Sequence, residues 1–557
     1  MPETRQEKLA RIESDGAFDV IVVGGGINGI GVFHDLAHQG LRVLLVEMND
    51  FCSGCSAAPS RMIHGGLRYL ENGEIALVRE SLAERDRLLR NAPHFVRPLP
   101  TVIPIERWVS GLANAALGFL GFTGRPKPRG ALPIKLGLAL YDRITGRKRL
   151  LPRHRFRGQA ATRAMWPAFG PRVRCSASYH DAWISHPERL GIELIGDATA
   201  ANPQAIALNY ARLAQDDGLV LTDTATGRTF TVSARIIVNA TGAWIDESAA
   251  ALGARLGERL VSGTKGSHLI LENPALLAAL NGHMVYYEHS DGRVCIVFPY
   301  LGRVLAGSTD LRVDKASRTA CSPEERDYIL TSLAGLFPQV TITLDQIVYS
   351  YAGIRPLPFS KADFTGRMSR GHAVRRLAGN VPQIGMVGGK WTTYRAFAEE
   401  TADLVLQDLG LTRRQSTRDL AIGGGRGFSD AFAKGLNLPA PRQAHLVDLY
   451  GALAPKVAAF CAAVPDQALP GVVMTKGEVL WFIRHEQALH LADVLQRRSP
   501  LAIRGELSLP LIDATVRVMA QELGWTNAQT QTEITRFLSD LETYHGVRLA
   551  PPKGVAP

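Results

Sequence analysis

The chain has 557 residues, of which 46% are hydrophobic and 21% charged. That excludes a mainly disordered chain and leaves room for about two to four domains, each with its own core. Six cysteines are too few for a disulfide framework, so a reducing, intracellular setting is expected.

The first sixteen residues are charged throughout and lack an apolar run, which argues against a secretory signal. FDVIVV, from Phe18, then reads as a buried parallel strand, and INGIGVFHDLAHQG as a helix ending in Gly40. LRVLLVE reads as a second buried strand. Between strand and helix, Gly24, Gly26 and Gly29 form G-x-G-x-x-G, with Asn28 inside the motif. The first Gly serves a tight turn, the second a close backbone approach to a pyrophosphate, and the third helix–strand packing. The helix N-terminus adds free N–H groups and a favourable dipole. Glu47 closes the second strand, where an acid receives ribose hydroxyls. An acid there disfavours a 2′-phosphate, leaving NAD or FAD. The following loop, CSGCSAAPSR, carries Cys52 and Cys55 at C-x-x-C spacing without a thioredoxin-like context, so coincidence is the preferred reading.

The positive charge is concentrated. Arg107–Arg157 holds twelve Lys/Arg and one acid, Asp142, and the rest of the chain is balanced. Within it, Trp108–Gly124 is seventeen uncharged residues, and Leu132–Ile144 is a second apolar stretch. Neither resembles the roughly 20 strongly apolar residues of a spanning helix. A short apolar segment with basic flanks suits a helix lying in an anionic membrane surface, or else a buried helix beside a solvated basic loop. No nucleic-acid motif accompanies it, so nucleic acid is not an expected partner.

Farther on, Ala234–Trp244 (ARIIVNATGAW) reads as a strand ending in a small-residue turn. SGTKGSHLIL (Ser262–Leu271), VCIVFPY and VLAGSTD read as strands of a second domain. Val381–Gly410 reads as strand, Gly-rich turn and long amphipathic helix. Arg413–Asp430 is linker-like, and helical patterns follow. His485-Glu486 with His490 has i, i+5 spacing, not the H-E-x-x-H of a zinc helix, so no metal is expected.

Five ordered motifs, SRMIHGGLRYL (60–70), VNATGAW, KGSH (265–268), YAGIRPL (351–357) and GGKWTTYR (388–395), resemble the FAD-dependent glycerol-3-phosphate dehydrogenases, from about residue 18 to 400. EVLWFIRHEQALHLADVLQRR is similar to that family's helical C-terminal domain. The resemblance implies an α/β plus α+β fold: a Rossmann-like FAD-binding domain of the D-amino-acid-oxidase type, an antiparallel-sheet substrate domain and a helical C-terminal cap. The expected FAD-binding domain spans 15–106, 188–261 and 346–412. The substrate domain spans 107–187 and 262–345, with a linker at 413–430 and the helical domain at 431–557. The sequence agrees with FAD in offering several small-residue turns, as a tightly held flavin requires.

The expected flavin contacts are Gly24, Gly26, Asn28, Gly29, Glu47, Ser56, Ser60, His64, Gly65, Gly66, Thr241, Gly242, Gly388, Gly389, Lys390, Trp391 and Thr392. Arg355 and Arg68 are the expected phosphate and substrate anchors, since Arg suits bidentate phosphate recognition. Tyr69 adds a phenolic hydrogen bond, and Thr393 helps position the substrate. His268 is the candidate base, because imidazole titrates near neutral pH. Lys390 is expected to polarise the substrate oxygen or stabilise reduced flavin.

The loop's Cys52 and Cys55 stand in the family's Ser/Thr-rich phosphate-binding run. Ser185-His186-Pro187-Glu188 departs from its usual acids before Arg-Leu. The expected activity is oxidation of sn-glycerol 3-phosphate to dihydroxyacetone phosphate, with electrons passing to membrane quinone, at the inner face of the cell membrane. A homodimer is an open expectation. The alternatives are another polyol phosphate such as a tetritol phosphate, oxygen as acceptor, a flavin-binding sensor without turnover, or an amine or amino-acid oxidase on the same fold.

Overall fold

The computed structural model describes residues 3–67, 74–108, 130–146, 149–289, 291–360, 370–429, 432 and 436–549. Apolar runs form its first sheet, ordered in space as His372–Leu377, Gln383–Gly388, Thr229–Asn239, Ala17–Val23, Val43–Val46 and Ile206–Leu208. The four pairings from Gln383–Gly388 to Ile206–Leu208 are parallel, and His372–Leu377 adds an antiparallel edge. Helices Ile27–His38, Pro187–Ala201 and Tyr394–Leu409 cover one face, where Val20, Val22, Phe33, Leu45, Leu194 and Phe397 share a core. The last helix stops at Gly410, whose φ of 71° suits glycine as a left-handed cap.

The second sheet runs Leu311–Val313, Val261–Leu271, Arg303–Gly307, Val294–Tyr300, Met284–Glu288, Val96–Ile105, Cys175–Ile184 and Met62–Ile63. Ile347–Pro358 also pairs with Val261–Leu271, and Arg155–Arg157 with Cys175–Ile184. Among the described residues its pairings are antiparallel except one, Met284–Glu288 beside Val96–Ile105, so this sheet is mixed rather than purely antiparallel. Met62–Ile63, Val96–Ile105 and Ile347–Pro358 pair here, although they lie inside segments assigned above to the FAD-binding domain. The chain crosses between the sheets at those points, and strand pairing is a tertiary choice that no linear boundary records.

The C-terminal helices from Ala440 onward pack on this second sheet. Tyr349, Tyr351, Ile270 and Phe298 share one core with Leu446, Phe482, Leu491 and Leu511. The segment expected as a linker is packed as well. Arg413 pairs with Asp35, the Ile422 N–H donates to the Asn91 carbonyl, and Gly424 packs so closely on the Tyr450 carbonyl that a β-carbon would stand 2.0 Å away. It is a strap laid over the first domain rather than a free tether.

Candidate active site

The glycine motif turns as its spacing requires. Gly24 has φ 107°, and a β-carbon there would sit 2.7 Å from the Ala240 carbonyl oxygen. On Gly29 it would stand 1.9 Å from the Gly24 oxygen, so glycine is what lets this helix begin against the strand end. Gly26 caps the helix. Glu47 accepts from the Gly25 N–H at 2.7 Å and from the Asn49 N–H at 2.8 Å, bracing the turn from the second strand.

Other segments close on this turn. Asn28 Nδ2 donates to the Gly388 carbonyl at 3.2 Å, and a β-carbon on Gly389 would meet that same nitrogen at 2.3 Å. Ser56 accepts from the Ile27 N–H at 3.0 Å, and its carbonyl accepts from Trp391 Nε1 at 3.1 Å. The His64 N–H donates to Thr392 Oγ1 at 3.2 Å. Gly65 donates to Asp181, which also binds the Tyr141 hydroxyl at 2.7 Å and Arg85. Gly66, Gly242, Gly388 and Gly389 all have positive φ. Thr241 is held by Asn239 at 2.7 Å, and Lys390 donates to Ser81 at 3.1 Å. Ser60 lies in the loop before Met62–Ile63. Asn28 Oδ1 and Thr393 Oγ1 are buried without a hydrogen-bond partner among the described residues. Small-residue turns from four segments, with orphaned polar atoms between them, fit a long dinucleotide gripped along its length.

Beside this cradle, Val261–Leu271 and Ile347–Pro358 pair antiparallel. His268 lies opposite Tyr351, Gly266 opposite Gly353, and Thr264 opposite Arg355. Strand period two puts these three pairs on one face. Neither central glycine carries a side chain, and the space over them is taken by the Arg355 guanidinium at Gly266 and by Ala58 at Gly353. His268 stacks on Tyr351 with centroids 4.9 Å apart, and both ring nitrogens lack a partner among the described residues. Burial, helped by the nearby Arg355 and Arg61 charges, pulls its imidazole down to about 3, so it is neutral at pH 7 and does not titrate near neutrality, where its residue type alone would place it. Arg355 donates to Asp310 at 3.2 Å and to Ser308 Oγ at 3.2 Å. Arg370 binds the other oxygen of Asp310 at 3.2 Å. Thr264 Oγ1, buried on the same face, has no partner among the described residues. Cradle and face touch, because a β-carbon on Gly353 would lie 2.7 Å from Ala58 Cβ in the loop that carries Ser56. Lys390, on the cradle side, is lowered to about 8 by burial.

A family model described as FAD dependent oxidoreductase matches residues 19–404, and one for the C-terminal domain of alpha-glycerophosphate oxidase matches 415–530. A glycerol-3-phosphate dehydrogenase of Synechocystis is 32% identical, covering 94% of this chain and 96% of the relative. The chain belongs to the FAD-dependent glycerol-3-phosphate dehydrogenase family. An aerobic glycerol-3-phosphate dehydrogenase of Staphylococcus aureus is 28% identical over 95% of both chains. The Bacillus halodurans glycerol-3-phosphate dehydrogenase complexed with FAD has a similar fold, with TM-score 0.74, 24% identity, and 100% and 99% of the two chains covered. FAD is the cofactor of this family, and the cradle fits it.

Within that family framework, Arg68 and Tyr69 lie outside the described residues. Sequence reasoning missed Arg370 and Asp310. The polar Ser308-Thr309-Asp310 run directly after a strand was their only local signal. It also missed Arg61, which pairs with Glu188 at 2.8 Å and lies over the Tyr351 ring. Glu188, from the departing Ser-His-Pro-Glu segment, thus buttresses the stacked pair from behind. Cys52 and Cys55 are both free, and burial raises both thiols, which disfavours the thiolate. His485 stacks on Trp481, whereas His490 pairs with Glu533 beyond the helix end at Glu486.

Proposed function

We propose that this chain oxidises sn-glycerol 3-phosphate to dihydroxyacetone phosphate and passes the electrons to membrane quinone. The observation that carries the reading is the strand face on which the Arg355 guanidinium, joined by Arg370 at Asp310, lies over Gly266 beside His268, whose ring nitrogens have no partner among the described residues. A phosphate dianion needs fixed cations, and the alcohol proton needs an unprotonated acceptor within reach. Bound FAD would supply the hydride acceptor for the substrate carbon. Arg355 and Arg370, with Arg68 and Tyr69, hold the phosphate. His268, neutral at pH 7, takes the hydroxyl proton on an imidazole nitrogen. Lys390 in its charged form steadies the oxygen, and Thr393 orients it. The turns at Gly24–Gly29, Thr241–Gly242 and Gly388–Thr392, with Glu47, Ser56, Ser60 and His64–Gly66, hold the cofactor.

The basic segment supports quinone as the acceptor. Helix Ala131–Thr145 leaves Leu136 60% exposed and Leu132 44% exposed, beside Trp108 at 58%. Lys135 and Arg143 are exposed on the same helix. No helix among the described residues is long and apolar enough to cross a membrane. An apolar ridge with basic neighbours suits the surface of an anionic bilayer, and residues 107–157 are proposed to dock there on the cytoplasmic side.

The test is anaerobic mixing of the purified protein with glycerol 3-phosphate and a panel of longer polyol phosphates, reading loss of the visible flavin absorbance. Bleaching by glycerol 3-phosphate at the lowest concentration is expected; a longer polyol phosphate acting first would reassign the substrate. Reoxidation by a soluble quinone faster than by oxygen is expected, and peroxide formation at the higher rate would make the protein an oxidase. Binding to anionic vesicles should be lost in the Leu132→Glu, Leu136→Glu double variant, and unchanged binding would reject the docking surface.

A further inference from the structure

The loop behind the cofactor turn is held by the C-terminal domain. Asp50 is fully buried three residues after Glu47. Its carboxylate accepts from Arg497 Nε at 2.6 Å, from Arg498 through both terminal nitrogens, and from Asn209 Nδ2 at 2.9 Å. Arg498 also donates to the Glu486 carbonyl at 2.8 Å, and Asn209 to the Gln487 carbonyl at 2.9 Å. Tyr210, whose N–H donates to the Asn49 carbonyl, sends its hydroxyl to Asp493 at 2.7 Å. From Asp50 the chain runs straight back to the glycine motif: the Cys52 N–H donates to the Gly25 carbonyl at 2.9 Å, and Ser56 Oγ accepts from the Ile27 N–H at 3.0 Å.

Buried ion pairs are poor sources of net stability, because desolvation offsets most of their attraction. An apolar contact would join the two domains equally well. What a bidentate arginine adds is direction, since it fixes where a carboxylate sits.

We infer that Asp50, Arg497 and Arg498 are positioning residues through which the C-terminal helical domain sets the shape of the Gly24–Gly29 turn, and with it the tightness of FAD binding. The inference rests on the FAD reading of that turn. It gives the C-terminal domain a role in cofactor retention, exerted through the loop that Asp50 anchors.

The experiment titrates full-length apoprotein with FAD, reading flavin fluorescence, for the wild type, Asp50→Asn, Arg498→Gln and Arg498→Lys. Leu511→Ala, which opens the buried core of the same domain and removes none of these ion pairs, serves as the stability control. Asp50→Asn and Arg498→Gln should each raise the FAD Kd by about tenfold or more, the scale of outer-shell positioning groups at other sites. Arg498→Lys, which keeps charge but loses the fork, should fall between them and the wild type. Leu511→Ala should lower the melting temperature and leave Kd alone. An unchanged Kd in the Asp50 and Arg498 variants, or one raised equally by Leu511→Ala, overturns the inference. If the two neutral variants do not fold, a wild-type Kd in Arg498→Lys overturns it. A wild type that takes up no FAD would instead sink the cofactor reading itself.

Discussion

The Arg355 guanidinium lies across the backbone of Gly266, where a β-carbon would stand 2.0 Å from its Nη2. The glycine of KGSH is therefore the space that the arginine of YAGIRPL occupies. Gly266→Ala must push the guanidinium away from Ser308 and Asp310. The expected result is a KM for glycerol 3-phosphate raised by about tenfold to a hundredfold, the worth of a charge-assisted hydrogen bond or two, with FAD content unchanged. Arg355→Ala should raise KM at least as far. Steady-state kinetics on flavin-loaded protein would decide this, and a normal KM in both variants would remove Arg355 from the substrate site.

His268 tests the proton step separately. His268→Gln keeps a polar side chain but removes the base, and kcat should fall by about two to four orders of magnitude. FAD affinity should not change. Burial holds the imidazole near 3, so the free enzyme should show no acid limb near pH 6.5 from this residue. Stopped-flow measurement of flavin reduction against pH reads both effects.

Lys390 sets the expected alkaline limb. Its ammonium is lowered to about 8 by burial, so it is charged below that pH and neutral above it. If the charged form assists the reaction, kcat/KM should fall as pH rises through about 8. Lys390→Arg retains charge across that range, and the fall should move to higher pH in that variant. A limb unmoved by the substitution would assign it to another group.

Gly29→Ala should yield colourless protein. The new methyl would stand 1.9 Å from the Gly24 carbonyl oxygen and 3.1 Å from Ala240, so the turn must shift. Gly196→Ala is the matched control, in helix Pro187–Ala201 with nothing within 4 Å of the added carbon. It should keep FAD and gain about 0.5–1 kcal/mol of stability. Flavin absorbance after gel filtration and thermal melting separate the two outcomes.

The amino-acid sequence by itself determined the features that need only neighbouring residues. The Gly24–Gly29 turn, its strand and helix, and the capped helix ending at Gly410 follow from local backbone geometry and side-chain pattern, whereas the apolar stretch from 109 to 124 lies outside the described residues. Only the tertiary structure decided the register in which Val261–Leu271 pairs with Ile347–Pro358, because that pairing joins residues about eighty to a hundred positions apart. It likewise brought Arg370 to Asp310, placed Val96–Ile105 in the second sheet, and set Arg497 and Arg498 on Asp50. Such pairings are chosen by competition among all the surfaces of the folded chain, and no stretch of residues carries them alone.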